Sequence, residues 1–257
     1  MVIWLFAGGG ESELGEREGN IKGIVCFFEK HFPDFNFERI TPVRNKRTPD
    51  RVKSNPAVDA LGKTGEAFAK QIKTKLDDKI KYSRPPDAIL IVDDLDCCCN
   101  AERKSLFNDT VNQAGNGAFK EVRRIIGFAA PELEAWIIAD WDNTIAKHID
   151  FRQNQRAMRE WLKNNKVFFD TPETFSFYDE CKHSCHDKIS EFLIESSRQE
   201  NQTVYSKARH TPFLLYESLK PDIVAGKCPV FRDFFTQLQN LKKFVMESDR
   251  SGNDHNR

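Results

Sequence analysis

The chain has 257 residues, with 39 basic and 39 acidic side chains and a formal net charge of zero. That length suits one large domain or a core domain with an appendage. A hydrophobic share of 39% beside 30% charged residues excludes a disordered chain and a membrane-embedded one, while zero net charge argues against a uniform polyanion-binding coat and leaves room for a local basic groove.

In chain order, Val2 to Phe6 is a short apolar run that enters Ala7-Gly8-Gly9-Gly10, a strand followed by a glycine turn. The apolar start lacks a basic leader and a cleavage-like site, so it reads as a strand and not a signal peptide. Ile21, Ile24, Val25, Phe28 and Phe32 recur at helical spacing. Phe37 to Val43 forms a second, weaker strand. Leu61, Phe68, Ile72, Leu76 and Ile80 mark a long amphipathic helix after Pro56. Ala88 to Val92 is apolar throughout, as a strand buried on both faces should be. It is far too short for the ~20 residues of a membrane span.

A polar helix over Ala101 to Gln113, a fourth strand over Val122 to Ala130 and a helix from Leu133 follow. This alternation predicts an α/β domain over residues 1–150, with a mainly parallel sheet flanked by helices. Helical faces then replace strands, giving a C-terminal helical appendage over 151–245 and a flexible tail over 246–257. Seven cysteines, three of them adjacent at Cys97, Cys98 and Cys99, predict free thiols in a reducing cytoplasm.

Acidic side chains fall where strands end. Glu11 follows the glycine turn, Asp93, Asp94 and Asp96 follow the third strand, and Glu132 and Glu134 follow the fourth. Open parallel sheets bind ligands outside their carboxyl ends. Several carboxylates in one crevice repel unless a cation neutralises them, and a hard ion such as Mg²⁺ or Mn²⁺ suits oxygen ligands. Such an ion activates water and stabilises a phosphodiester under attack. The same acids also serve as helix caps or favour a helix dipole.

The glycine turn with Glu11, then Asp94-Leu95-Asp96 after the third strand, resembles the TOPRIM arrangement of topoisomerases, primases and OLD-family nucleases. The stretch from Ala130 to Asp140, Ala-Pro-Glu-Leu-Glu-Ala-Trp-Ile-Ile-Ala-Asp, resembles a signature of an uncharacterised bacterial TOPRIM-like family found beside ATPases in phage-defence loci. Tyr205 to His210 and the Arg232-Asp233-Phe234 region look like that family's C-terminal part.

The resemblance implies a metal-dependent nuclease in antiviral defence, working with an ATPase. Glu11, Asp94, Asp96 and Glu134 would be catalytic, and Asp93 and Glu132 would join them around the metal. The family's first strand usually ends Val-Glu-Gly, and Phe6-Ala7-Gly8 stands there instead. The alternative expectation is therefore an inactive regulatory or sensor subunit that binds an ATPase or nucleic acid. A third is a metal-dependent phosphatase or phosphotransferase acting on small nucleotides.

Two basic groups are candidates for phosphate-backbone contact. One is the loop bearing Arg44, Lys46, Arg47 and Arg51, and the other is Lys207 with Arg209. Cys181, His183, Cys185 and His186 offer soft ligands, but their spacing is more compact than a usual structural zinc site. A Gly-x-Ser-x-Gly nucleophile elbow is absent.

Overall fold

The structure is a computed structural model, and it describes residues 1–9, 23–41, 63–200 and 203–253. Four strands form one sheet: β1 (Val2–Ala7), β2 (Asn36–Thr41), β3 (Ala88–Asp94) and β4 (Arg123–Ala129). Their order is β2-β1-β3-β4, and every neighbouring pair is parallel. Strand period decides the layers. Ile3, Leu5 and Ala7 of β1 and Ala88, Leu90 and Val92 of β3 enter one apolar cluster. Trp4, Phe6, Ile89 and Ile91 enter the other. Both faces are covered, which is why these strands are apolar throughout.

One face is covered by α2 (Gly65–Lys79), through Phe68, Ile72 and Leu76, and by α3 (Asn100–Gln113), through Phe107 and Val111. The other is covered by α1 (Ile24–His31) and α4 (Glu134–Ala139), together with helices from the C-terminal half. That half contains α5 (Gln155–Asn164), a small hairpin of β5 (Tyr178–Asp179) and β6 (Ser184–Cys185), α6 (Ile189–Glu200), α7 (Lys207–Glu217), α8 (Pro221–Lys227) and α9 (Pro229–Asn253). The helices expected over 151–245 are thus present, and their apolar residues share one cluster with β1 and β3. The helix α9 continues to Asn253, inside the segment expected to be a tail.

The halves pack tightly at Gly127 of β4. A Cβ there would lie 2.3 Å from a ring carbon of Phe234 on α9. Only a glycine lets the aromatic ring lie this close to the strand. No helix among the described residues is long and apolar enough to cross a membrane.

The cysteine expectation is corrected. Cys97 and Cys185, 88 residues apart, form a disulfide. Cys97 follows β3 and Cys185 lies on β6, so folding brings together two sulfurs that the sequence leaves far apart.

Candidate site at the carboxyl end of the sheet

Each strand delivers its last residues to one edge. At β1, Gly8 continues the ladder by donating its N–H to the Val92 carbonyl at 2.7 Å, and Gly9 donates to the Lys63 carbonyl at 3.1 Å. A Cβ on Gly8 would sit 2.2 Å from Asp93 Oδ1, so the turn needs glycine because a carboxylate fills the space. Ala7 is buried in the core cluster with Leu5, Val92 and Ala129.

Asp93 is buried, and its Oδ2 accepts the Gly65 N–H at 3.0 Å and lies 3.4 Å from Arg103 Nη1. Its Oδ1 has no hydrogen-bond partner among the described residues. Burial pushes the carboxyl up to about 7, against the pull of Gly65 and Arg103. Asp93 thereby ties the β1 turn, the start of α2 and the first turn of α3 to one point. Asp94 is half-buried, and its Oδ1 accepts the Leu133 N–H at 3.1 Å, just before α4. Asp96 is also half-buried, and its N–H donates to the Pro131 carbonyl at 2.9 Å.

Glu132 and Glu134 have a different fate. Glu132 accepts the Ser190 N–H at 2.7 Å and the Ser190 hydroxyl at 3.0 Å. Glu134 is fully buried and accepts the Thr211 hydroxyl at 2.7 Å. Thr211 Oγ1 is itself 2.7 Å from the Tyr205 hydroxyl. Because Thr211 gives its one proton to Glu134, Tyr205 must be the donor in that pair. Lys207 joins the two acids, with its Nζ 3.0 Å from Glu132 Oε2 and 3.1 Å from Glu134 Oε2.

Burial alone would lower the Lys207 ammonium, but Glu134, Glu132 and Asp94 outweigh it and hold the group charged well above its ordinary value. Burial raises the Glu134 carboxyl, so one ammonium among these acids leaves the deepest one reluctant to ionise. Lys207 and Thr211 are four apart on α7 and so face the same way.

A hard divalent ion needs several carboxylate oxygens turned toward one point. Here Glu132 and Glu134 turn theirs to Ser190, Thr211 and Lys207, so as placed they do not fit such an ion. Asp94 and Asp96 remain at the solvent side of the edge. Glu11, Arg44, Lys46, Arg47 and Arg51 lie outside the described residues. Lys207 lies in the acidic crevice, and Arg209 is exposed, with Nη2 3.8 Å from Asp150 Oδ2.

Among the described residues, one trio of metal-ligand type is close enough to share an ion: His148, Asp150 and His210. The hydrogen bonds argue against that use. His210 Nδ1 accepts the Ser206 N–H at 2.8 Å, and His148 Nδ1 accepts the Asp150 N–H at 3.2 Å. A neutral ring that accepts at Nδ1 carries its proton on Nε2, which then has no lone pair for a metal. His210 Nε2 faces Asp150 Oδ2 at 3.3 Å and donates to it. In the Cys181, His183, Cys185 and His186 group, Cys185 is bonded to Cys97, so the four cannot all ligate while the disulfide is intact.

The sequence reading missed Ser190, Thr211 and Asp150, and it placed Tyr205 beside a basic patch and not on the Thr211 hydroxyl. Only the four-residue spacing of Lys207 and Thr211 hinted at a shared face. No family model, no curated protein and no solved structure matches the chain.

Replacing Lys207 by Met keeps the stem and removes the charge, leaving two buried acids without their cation. Stability should fall by about 2–3 kcal/mol, less than the ~3–5 of a fully buried pair because the side chain keeps some solvent contact. Adding Glu132→Gln and Glu134→Gln should recover part of the loss. Urea melts of the variants check this, and additive losses would contradict the clamp.

Burial holds the His210 imidazole below its ordinary value. The unfolded ring, at ~6.5, therefore protonates first as pH falls. The stability His210 contributes is present above about pH 6.5 and is lost as pH drops toward the lowered native value. Wild type should lose more stability than His210→Gln between about pH 7.5 and 5.5. Equal losses in paired urea melts would contradict it.

Proposed function

We propose that the chain is a TOPRIM-like binding subunit of an antiviral defence system, catalytically quiet as an isolated protein, that engages nucleic acid beside the carboxyl end of its sheet and answers to an ATPase partner. The observation that carries this reading is the Lys207 ammonium between Glu132 and Glu134. A built-in cation takes the neutralising role that a divalent ion has in a hydrolase of this type. Two further points support it. Ala7, at the position of the family's usual glutamate, is buried in the core. Glu134, offered as a catalytic acid, is buried and bonded internally. Nucleic-acid contact would come from Arg44, Lys46, Arg47 and Arg51, whose charges suit a phosphate backbone.

A second reading keeps the metal-dependent nuclease. Asp94 and Asp96 favour it, because both stay half-buried at the end of β3. With Glu11 they would hold Mg²⁺ or Mn²⁺, which would supply an activated water and charge stabilisation.

One experiment separates the two. Binding of a labelled oligonucleotide is measured at rising salt, and thermal melting is measured with and without Mn²⁺. The binding reading expects affinity that falls with salt, a shallower salt slope for the Arg44→Ala, Lys46→Ala, Arg47→Ala triple variant, intact oligonucleotide and an unshifted melt. A melting temperature raised by Mn²⁺ in wild type but not in Asp94→Asn or Asp96→Asn, with cleavage, would establish the nuclease instead. Absence of oligonucleotide binding would overturn the proposal.

A further inference from the structure

The segment from Phe177 to Asp187, which contains β5 and β6, lies against the Asp96 side of the sheet's carboxyl end. Asp96, Pro131 and Glu132 line one side of the seam, and Cys185, Asp187 and Lys188 line the other. The seam holds no water-sized space. Very little fastens the hairpin there. Among the described residues, every hydrogen bond and ion pair made by residues 177–187 stays within 176–187. His186 N–H donates to the Phe177 carbonyl, Asp187 N–H to Ser176 Oγ, and Lys182 Nζ to the His186 carbonyl. Apolar packing is equally sparse. Phe177 is 64% exposed and Tyr178 is 40% exposed, and Cys185 is the one buried residue of the segment. That residue is bonded to Cys97.

The other arm of the cross-link is held in an unusual backbone. Asp96 and Cys97 are consecutive non-glycine residues with φ of 50° and 60°. L-residues enter this left-handed region rarely, and mostly where surrounding structure imposes it. Here the surroundings are the Asp96 N–H bond to Pro131 and the Cys97 bond to the hairpin.

We propose that Cys97–Cys185 is a redox latch: oxidised, it straps the 177–187 hairpin over Asp96, and reduced, it lets the hairpin lift and the Asp96–Cys97 turn relax. A dithiol reductant supplies two electrons and two protons. One of its thiolates attacks a sulfur of the pair to form a mixed disulfide, and its second thiolate displaces that sulfur. Cys97 and Cys185 leave as thiols, and the reductant leaves as its own disulfide. The sheet does not depend on the latch, because its core continues through α1, α4 and α9 without the hairpin. The latch is independent of whether the site binds or cleaves phosphodiesters, since it concerns only the access of solvent and ligand to Asp96.

Hydrogen–deuterium exchange on the full chain tests it, with and without dithiothreitol, beside the Cys185→Ser variant. Reduction and Cys185→Ser should each speed exchange at the Lys182, His186 and Asp187 amides and at Asp96 and Cys98 by at least roughly tenfold. The β3 amides should keep their protection. Cys181→Ser, which leaves the cross-link intact, should behave as oxidised wild type. Unchanged exchange on reduction would overturn the latch. So would loss of β3 protection, which would make the bond a general staple, and so would alkylation showing both thiols free in protein prepared without reductant.

Discussion

One ammonium group organises the carboxyl end of this molecule. Lys207 enters from α7 and meets Glu132 and Glu134, which follow β4. Two carboxylates this deeply buried repel each other and lose hydration, and a cation between them offsets both costs only if the remaining oxygens are satisfied. Ser190 and Thr211 satisfy them. The clamp therefore reaches α6 through Ser190 and α7 through Lys207 and Thr211. It converts what would be a repulsive acidic crevice into the joint between the sheet and its C-terminal helices.

Asp93 plays the matching part on the other side. Its carboxyl occupies the space against Gly8, accepts from Gly65 and faces Arg103. These contacts fix where α2 and α3 begin relative to β1. With Asp93 on one side and Glu132 with Glu134 on the other, three of the five strand-end acids among the described residues hold the fold together. Asp94 and Asp96 are left at the edge, and the hairpin tied by Cys97–Cys185 closes over Asp96. The proposed function rests on that division: Glu132 and Glu134 are engaged by Lys207, and Asp94 and Asp96 are the acids left at the edge.

The layers were legible in the sequence because strand period is local. Val2 to Phe6 reads as a strand from its apolar run, and the uninterrupted run from Ala88 to Val92 announced a strand covered on both faces. The location of the acids was legible for the same reason, since each follows an apolar run. Their partners were not. Glu132 finds Ser190 58 residues away, and Glu134 finds Thr211 77 residues away. Lys207 sits beside Arg209 and His210, so locally it reads as part of a basic surface. Only the docking of α7 turns it inward. The disulfide was hidden likewise, because Cys97 lies in a run of three cysteines while its partner sits among soft ligands that invite a zinc reading. Tertiary closure decides these roles, and the four-residue spacing of Lys207 and Thr211 is its one trace in local pattern.

The state of the Lys207 side chain tests the central claim most directly. Nuclear magnetic resonance of the lysine Cε and Nζ groups, followed from neutral to alkaline pH, reports each ammonium separately. An ordinary lysine titrates at about 10.4. The clamp predicts that Lys207 keeps its proton through that range, with ammonium protons that exchange slowly with water. A Lys207 signal that titrates with the surface lysines, or below them, would contradict it and would leave Glu132 and Glu134 in need of another cation.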